Sequence, residues 1–159
     1  MPDIRPDLSP QDQFALNLYT AARGYKFAAQ ILPKSSDFAP RAETMVLPTM
    51  ALQAFSIELF LKSFLAKQGV TEKELSGHVL RHDLCALGNR AIAGGLSHSP
   101  ALDLLIGILA EQHKKHGYRY MKSDTTYLTV SYPDVHKVLD ELDGAVAAYV
   151  DVKSMLAPA

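Results

Sequence analysis

The segment from residue 47 to residue 87 constrains the fold more than any other part of this chain. Between Thr49 and Lys67, apolar residues cover most of the circumference of a helix, and Gly69 follows as a natural C-terminal stop. A helix that is apolar nearly all round is buried by neighbouring helices or by a partner subunit. The pattern therefore predicts a central helix, while Pro48 lies either in its first turn or at a kink.

Other segments have the three- and four-residue apolar spacing of amphipathic helices, together with local start and stop signals. Ser9-Pro10 opens the first of them, which we expect to end near Ile31 because Pro33 follows. A capping box beginning at Thr71 opens a short helix. The remaining predicted helices begin at His82-Asp83, Ser99-Pro100 and Pro133-Asp134, and the first two of these end at Gly94-Gly95 and Gly117.

Residues 118–132 break the helical pattern, because aromatic and β-branched residues alternate there around Ser123-Asp124. This predicts an extended loop or a short hairpin between the last two helices. A chain of 159 residues suits a single core. We predict an all-α, up-down helical bundle of five or six helices, with a flexible leader at residues 1–8, one domain at residues 9–152 and a tail at residues 153–159.

Composition narrows the class of partner. Sixteen basic and seventeen acidic residues give a net charge of -1, which argues against a nucleic-acid or membrane module driven by bulk charge.

The single cysteine, Cys85, cannot form an intrachain disulfide, so we expect a cytoplasmic protein. The apolar neighbours of Cys85 predict that it is a core residue rather than a nucleophile. Glu58 and Lys62 interrupt the longest apolar run, and we expect neither a membrane span nor a signal peptide.

Several positions resemble the HEPN superfamily of small helical bundles. In the relevant branch the second helix has Glu-x-x-Leu-Lys-x-x-Leu, followed by Gly, His-x-Leu-x-x-Leu and Arg-Tyr-Pro. The matching residues here are Glu58, Leu61, Lys62, Leu65, Gly69, His82, Leu84, Leu87, Arg119 and Tyr120. The resemblance implies a homodimer that associates with RNA, a nucleotide or a protein partner.

The chain departs from this family pattern in two places. Met121 follows Tyr120 where the motif has proline. Catalytic HEPN ribonucleases also have an arginine and a histidine with four to six residues between them, and this sequence contains no such pair. The nearest spacing, from Arg90 to His98, crosses the Gly94-Gly95 break. The resemblance therefore implies a module without that nuclease activity.

Glu58 and Lys62 are four residues apart, in the order that favours an ion pair on one helix face. They form either a structural ion pair on a buried helix or a polar patch facing a cleft or a dimer seam. Because a buried charge is costly unless it is paired, a further group must meet them. Arg119 is a candidate for the group that meets Glu58.

Four histidines offer ligands of the kind that metals use. His78 and His82 are four residues apart, and His113 and His116 are three apart, so two helices could together present a zinc or iron site. His78 lies outside the predicted helix, however, and no Glu-x-x-His pair occurs. We expect no metal and no cofactor, and we interpret His82-Asp83 as a helix N-terminus.

The densest basic cluster surrounds the end of the helix that Ser99-Pro100 opens. Lysine and arginine neutralise phosphates, and tyrosines stack on unpaired bases. The alternative is a helix end whose lysines favour the dipole and whose tyrosines cover the bundle. The cluster comprises Lys114, Lys115, His116, Arg119 and Lys122, with Tyr118, Tyr120 and Tyr127 between them.

The function predicted from the sequence is a non-catalytic HEPN-like module that forms a homodimer and binds RNA, a nucleotide or a protein partner. Its predicted ligand-binding residues are Glu58, Lys62, His82, Lys115, Arg119, Tyr120 and Lys122. The alternative is a divergent, metal-independent RNase of a toxin or defence type, in which Arg119 clamps phosphate and His113 or His116 is the general acid or base. A third hypothesis is a metal-binding bundle that uses the histidines.

Overall fold

Six α-helices account for most of the chain that the computed structural model describes, which comprises residues 8–120 and 125–150. No strand occurs in these two ranges, and residues 125–131 have no regular structure. The predicted all-α bundle is therefore confirmed. The helices are α1 (Pro10–Ile31), α2 (Ala42–Lys67), α3 (Glu72–Leu75), α4 (Leu84–Ala93), α5 (Pro100–Lys114) and α6 (Tyr132–Val150), and the 3-10 turns Leu32–Lys34 and Ala39–Arg41 connect α1 to α2.

The helix α2 is the centre of the bundle, as its apolar circumference predicts. It contacts α1, α4, α5 and α6. Ile57, Phe60 and Leu61 on this helix are completely buried, and each such side chain contributes about 1.5–3 kcal/mol relative to an exposed one. The helix begins at Ala42, within the predicted range from Arg41 to Pro48, so Pro48 lies inside it rather than in its first turn.

The helices α1 and α2 are antiparallel, and two serine hydroxyls join their backbones. Ser63 Oγ donates to the carbonyl of Ala15 at 2.7 Å, and Ser56 Oγ donates to the carbonyl of Ala22 at 3.2 Å. Both hydroxyls are buried and both are satisfied by these bonds. The serines therefore bring two long helices together without leaving a buried polar group unpaired.

Local capping signals in the sequence correctly located the starts of four helices. The side chains of Ser9, Asp83 and Ser99 each accept a hydrogen bond from a backbone N–H in the first turn of α1, α4 and α5. Thr71 and Glu74 form the predicted capping box of α3. These signals are reliable because a cap is a contact between residues two or three positions apart.

The end of α5 differs from the prediction, which placed the stop at Gly117. The left-handed residue is His116, with φ of 56°, and the N–H of Gly117 donates to the carbonyl of Gln112 at 2.7 Å. Glycine usually takes the left-handed position after a helix, as Gly69 does after α2 with φ of 93°. A histidine in that position is uncommon.

The prediction for Cys85 was wrong, because its side chain is exposed. The buried face of α4 carries Leu84, Leu87, Gly88 and Ala91. A residue directly after Leu84 lies about 100° further around the helix, which turns it towards solvent.

The segment Ala39–Lys67 is long and apolar enough to cross a membrane by length and composition alone. Half of its most apolar window is buried inside the bundle. The core helix of a bundle has the same length and composition, so this feature is weak evidence for a membrane span.

Candidate functional site

Glu58 is the centre of a buried polar network where α2, α5 and the connection before α4 meet. Its side chain is only 4% exposed. Lys62 Nζ donates to Oε1 at 2.6 Å. Two imidazoles approach the other oxygen: His113 Nε2 lies 2.5 Å from Oε2, and His82 Nδ1 lies 3.2 Å from it. Glu58 is thus bonded by three side chains from three parts of the fold.

The network holds Glu58 in its charged form. Burial on its own would raise the pKa of this carboxyl, but the hydrogen bonds from His113 and Lys62 outweigh burial and lower the pKa to about 2. Lys62 Nζ also donates to the carbonyl of Arg81 at 2.7 Å. This bond ties α2 to the segment that carries His82 into the site.

Arg119 is not the partner of Glu58, and that prediction was wrong. The Arg119 guanidinium lies over the ring of Phe55, 5.7 Å from its centroid. The same ring contacts His113 edge-on, with centroids 4.8 Å apart. Both oxygens of Glu58 already have partners, and Phe55 places Arg119 next to the network without a bond to its carboxylate.

The structure brings together three of the four histidines that the sequence singled out. The rings of His82 and His116 are 5.1 Å apart, and those of His82 and His113 are 5.8 Å apart. The His113 side chain is 3% exposed and that of His82 is 23% exposed. His78 is exposed and has no contact with this group among those that the structure describes.

Four cationic or titratable side chains, Arg81, His82, His116 and Arg119, form a surface that we call the His116 face. Burial lowers the pKa of His116, and the neighbouring His82 and Arg119 lower it further. Within residues 8–120 and 125–150, no carboxylate lies within 4.0 Å of the Arg81 or Arg119 guanidinium. These two arginines therefore add positive charge that no described acidic side chain neutralises directly.

The lysines of the predicted basic cluster are not part of this face. Lys114 Nζ lies 2.5 Å from Asp83 Oδ2, and Lys115 Nζ lies 2.6 Å from Glu111 Oε1. Lys122 lies outside the described residues. The two paired lysines support the interpretation of a charged helix end rather than a phosphate-binding cluster.

The tyrosines of the same cluster have different environments. Tyr118 is buried and its hydroxyl donates to the carbonyl of Leu109 at 3.3 Å. The Tyr127 hydroxyl donates to the carbonyl of Gly117 at 2.9 Å. Tyr120 is 70% exposed and directly follows Arg119. Of the three rings, Tyr120 is the one that an unpaired base can reach.

Glu58, His82 and His113 also form a set of metal-type ligands. One ligand atom from each of them lies within 4.8 Å of the other two. The sequence predicts either an ion pair or a polar patch for Glu58, and it groups His82 and His113 only as possible metal ligands on two helices. It does not connect Glu58 with these histidines. The packing of α5 and of the connection before α4 against α2 brings the three together.

Comparisons of the chain with protein-family models, curated proteins and solved structures find no match. The HEPN resemblance therefore stays a prediction that depends on the residues quoted above.

Proposed function

We propose that this protein binds a phosphate-bearing ligand, RNA or a nucleotide, at the His116 face. The observation that carries the proposal is the pair of guanidinium groups, Arg81 and Arg119, with no carboxylate partner among the described residues. Guanidinium groups bind phosphate oxygens with two parallel hydrogen bonds, and they lose less hydration energy than lysine ammonium groups do.

The surroundings of Arg119 favour a ligand with bases as well as phosphates. Phe55 supports the guanidinium from one side. The exposed ring of Tyr120 is next to it in the chain, and stacking of a base on an aromatic ring contributes about 1–3 kcal/mol. Because the net charge of the whole chain is only -1, binding would depend on this local cluster rather than on overall charge.

Glu58 and Lys62 have a positioning role in this proposal. Both are largely buried, and both are bonded within the network. Glu58 holds His82, and Lys62 holds the backbone of Arg81. Of the ligand-binding residues predicted from the sequence, His82, Arg119 and Tyr120 remain as candidates for direct contact, and Arg81 and His116 join them.

The homodimer implied by the HEPN resemblance remains part of the proposal. The fully buried residues of α2, such as Ile57, Phe60 and Leu61, are covered within one chain, so only half-buried apolar residues of this helix, such as Leu52 and Leu59, are open to a partner. Light scattering during gel filtration measures the mass in solution. A mass of one chain would contradict the homodimer and would leave the phosphate-binding proposal unaffected.

The phosphate proposal is tested by fluorescence anisotropy with a short labelled single-stranded RNA and a labelled ATP, each at several salt concentrations. Arg81→Ala and Arg119→Ala should each weaken binding and lower the salt slope by about one unit. Arg90→Ala is the matched control, since Arg90 is an exposed arginine of α4 bound to Glu74 at 3.4 Å. Binding by the double Arg81→Ala/Arg119→Ala variant equal to wild type would overturn the proposal.

One observation favours the alternative of metal-independent RNA cleavage. The His82 and His116 rings are 5.1 Å apart beside Arg119, so one imidazole could accept a proton while the other donates one. His113, the other predicted candidate, is bonded to Glu58 and almost fully buried, which removes it from contact with substrate.

Cleavage is tested by incubating a mixed pool of structured and single-stranded RNA with the protein in EDTA. An RNase of this kind cleaves in EDTA, and His116→Ala and Arg119→Ala abolish cleavage while the helical circular dichroism stays unchanged. Intact RNA after incubation with the wild-type protein would exclude the alternative and leave the non-catalytic binding module.

A further inference from the structure

We propose that Glu58, His82 and His113 bind a divalent transition-metal ion such as Zn²⁺. Two imidazole nitrogens and one carboxylate oxygen are a common ligand set for catalytic zinc, and they leave one position open for water or an anion. This inference departs from our expectation that the chain holds no metal. It does not depend on phosphate binding at the His116 face.

The distances between the ligand atoms fit a small ion. Zinc bonds of about 2.0–2.1 Å in a tetrahedral site place the ligand atoms about 3.3 Å apart. His82 Nδ1 and Glu58 Oε2 are 3.2 Å apart. His113 Nε2 is 2.5 Å from the same oxygen, so an ion requires this pair to separate by less than about 1 Å, which is a side-chain adjustment rather than a movement of helices.

The approach of two imidazoles to one oxygen supports the metal proposal. Both His82 and His113 point a ring nitrogen at Oε2 of Glu58, and Lys62 bonds to Oε1. A hydrogen bond to the second oxygen of a ligating carboxylate orients it towards the metal. Lys62 therefore has the position expected of such an orienting group.

The burial of the three residues gives the site a closed side and an open side. Glu58 and His113 are 4% and 3% exposed, whereas His82 is 23% exposed. An ion would enter past His82, next to His116. Because Lys62 already balances the charge of Glu58, the open position favours an anionic ligand such as hydroxide.

The test uses the full-length protein, freed of metal with EDTA and then dialysed. Isothermal titration measures the affinity and stoichiometry for Zn²⁺, and the visible spectrum of the Co²⁺ form reports the ligands. We expect one ion per chain. Loss of a residue that only hydrogen-bonds to a metal ligand typically weakens metal binding 10–100-fold. Because His82 is a ligand itself in this proposal, His82→Ala should weaken Zn²⁺ binding by more than that. His82 is the informative position because it is the most exposed of the three ligands, so its removal is least damaging to the core.

His78→Ala is the matched control, since His78 is an exposed histidine four residues before His82. It should bind Zn²⁺ with wild-type affinity. As a second readout, Zn²⁺ should raise the melting temperature of wild type and His78→Ala but not of His82→Ala. The proposal is overturned if the wild type binds less than one ion per chain at saturation, if His82→Ala binds as tightly as wild type, or if His78→Ala weakens binding equally.

Discussion

Two polar clusters in this bundle have similar designs and different chemistry. In the first, Glu58 of α2 has Lys62, His82 and His113 around it. In the second, Asp143 of α6 accepts a hydrogen bond from Tyr19 Oη at 2.6 Å. The remaining partners of Asp143 are Lys26 Nζ at 2.6 Å and Arg23 Nε at 3.7 Å.

Two partners of Asp143, Lys26 and Tyr19, keep their charge state across the neutral range. Burial works to lower the pKa of Lys26, but its bonds to Asp143 and Asp140 raise it overall. Burial and the bond to Asp143 both raise the pKa of Tyr19. This cluster fastens α1 to α6 and contains no imidazole.

The partners of Glu58 include two imidazoles, which can donate a hydrogen bond, take up a proton or bind a metal ion. The comparison teaches that pairing a buried carboxylate is a shared structural need, whereas the choice of partner decides whether the site can do chemistry. Both clusters should therefore matter for stability, and only the Glu58 network should respond to metal.

The largest loss of stability is expected from Glu58→Ala. This variant removes the carboxylate that Lys62 and His113 bond to inside the bundle. Breaking a buried pair typically lowers the free energy of unfolding by about 3–5 kcal/mol. Urea unfolding followed by circular dichroism measures the loss. Lys73→Ala, an exposed lysine of α3, is a suitable control. A cost below about 1 kcal/mol, the usual range of an exposed ion pair, would mean that the network is not buried in solution.

Acid should weaken the fold through the same carboxylate. The pKa of Glu58 is lowered from its ordinary value of 4.5 to about 2. Its contribution is therefore complete above the ordinary value and is lost as the pH falls towards 2; the full shift corresponds to about 3 kcal/mol. The free energy of unfolding, measured by urea at several pH values, should fall over this range.

The matched pair for the acid experiment is Glu58→Gln and Glu74→Gln. Glu74 is exposed, and its capping bonds with Thr71 lower its pKa. Glu74→Gln should keep most of the acid dependence, whereas Glu58→Gln should remove its largest single contribution. If the free energy of unfolding falls equally with pH in both variants, the acid sensitivity comes from the other carboxylates of the chain.

The contrast between local and tertiary signals explains what the sequence could predict. The capping residues Ser9, Asp83 and Ser99 act on N–H groups of the next turn, so a short window of sequence contains the whole interaction. The central position of α2 follows from its apolar circumference alone. Most of the fold could be predicted for this reason.

The candidate site could be predicted only in part, because its partners come from distant segments. His113 is 55 residues from Glu58 in the chain, and His82 is 24 residues from it. Arg119 was a reasonable partner by charge, but nothing in the sequence places Phe55 between it and the network. Recognising Glu58 as a buried charge paired with Lys62 was correct, whereas naming His82 and His113 as its further partners required the packing of α5 and of the segment before α4 against α2.

The next largest loss of stability is expected in the Asp143 cluster. Asp143→Asn removes the charge that Lys26 bonds to and weakens the acceptor for the Tyr19 hydroxyl. We expect a cost of about 1–3 kcal/mol, the range for hydrogen bonds to charged groups and for unsatisfied buried groups. Zn²⁺ affinity should stay at the wild-type value. A loss of metal binding in this variant would contradict the separation of the two clusters.

The smallest effect is expected from His116→Gly, which tests why a histidine takes the left-handed position after α5. Glycine removes the strain of a side chain at φ of 56°, which stabilises the folded chain. Glycine also has more backbone freedom in the unfolded chain, which lowers stability. Because the two effects nearly cancel, the free energy of unfolding should change by less than about 0.5 kcal/mol. Gly69 in the equivalent position after α2 shows that glycine suits this geometry. RNA binding, however, should weaken, because the variant removes one of the four side chains of the His116 face. Unchanged RNA affinity together with a large loss of stability would mean that His116 serves the fold rather than the ligand.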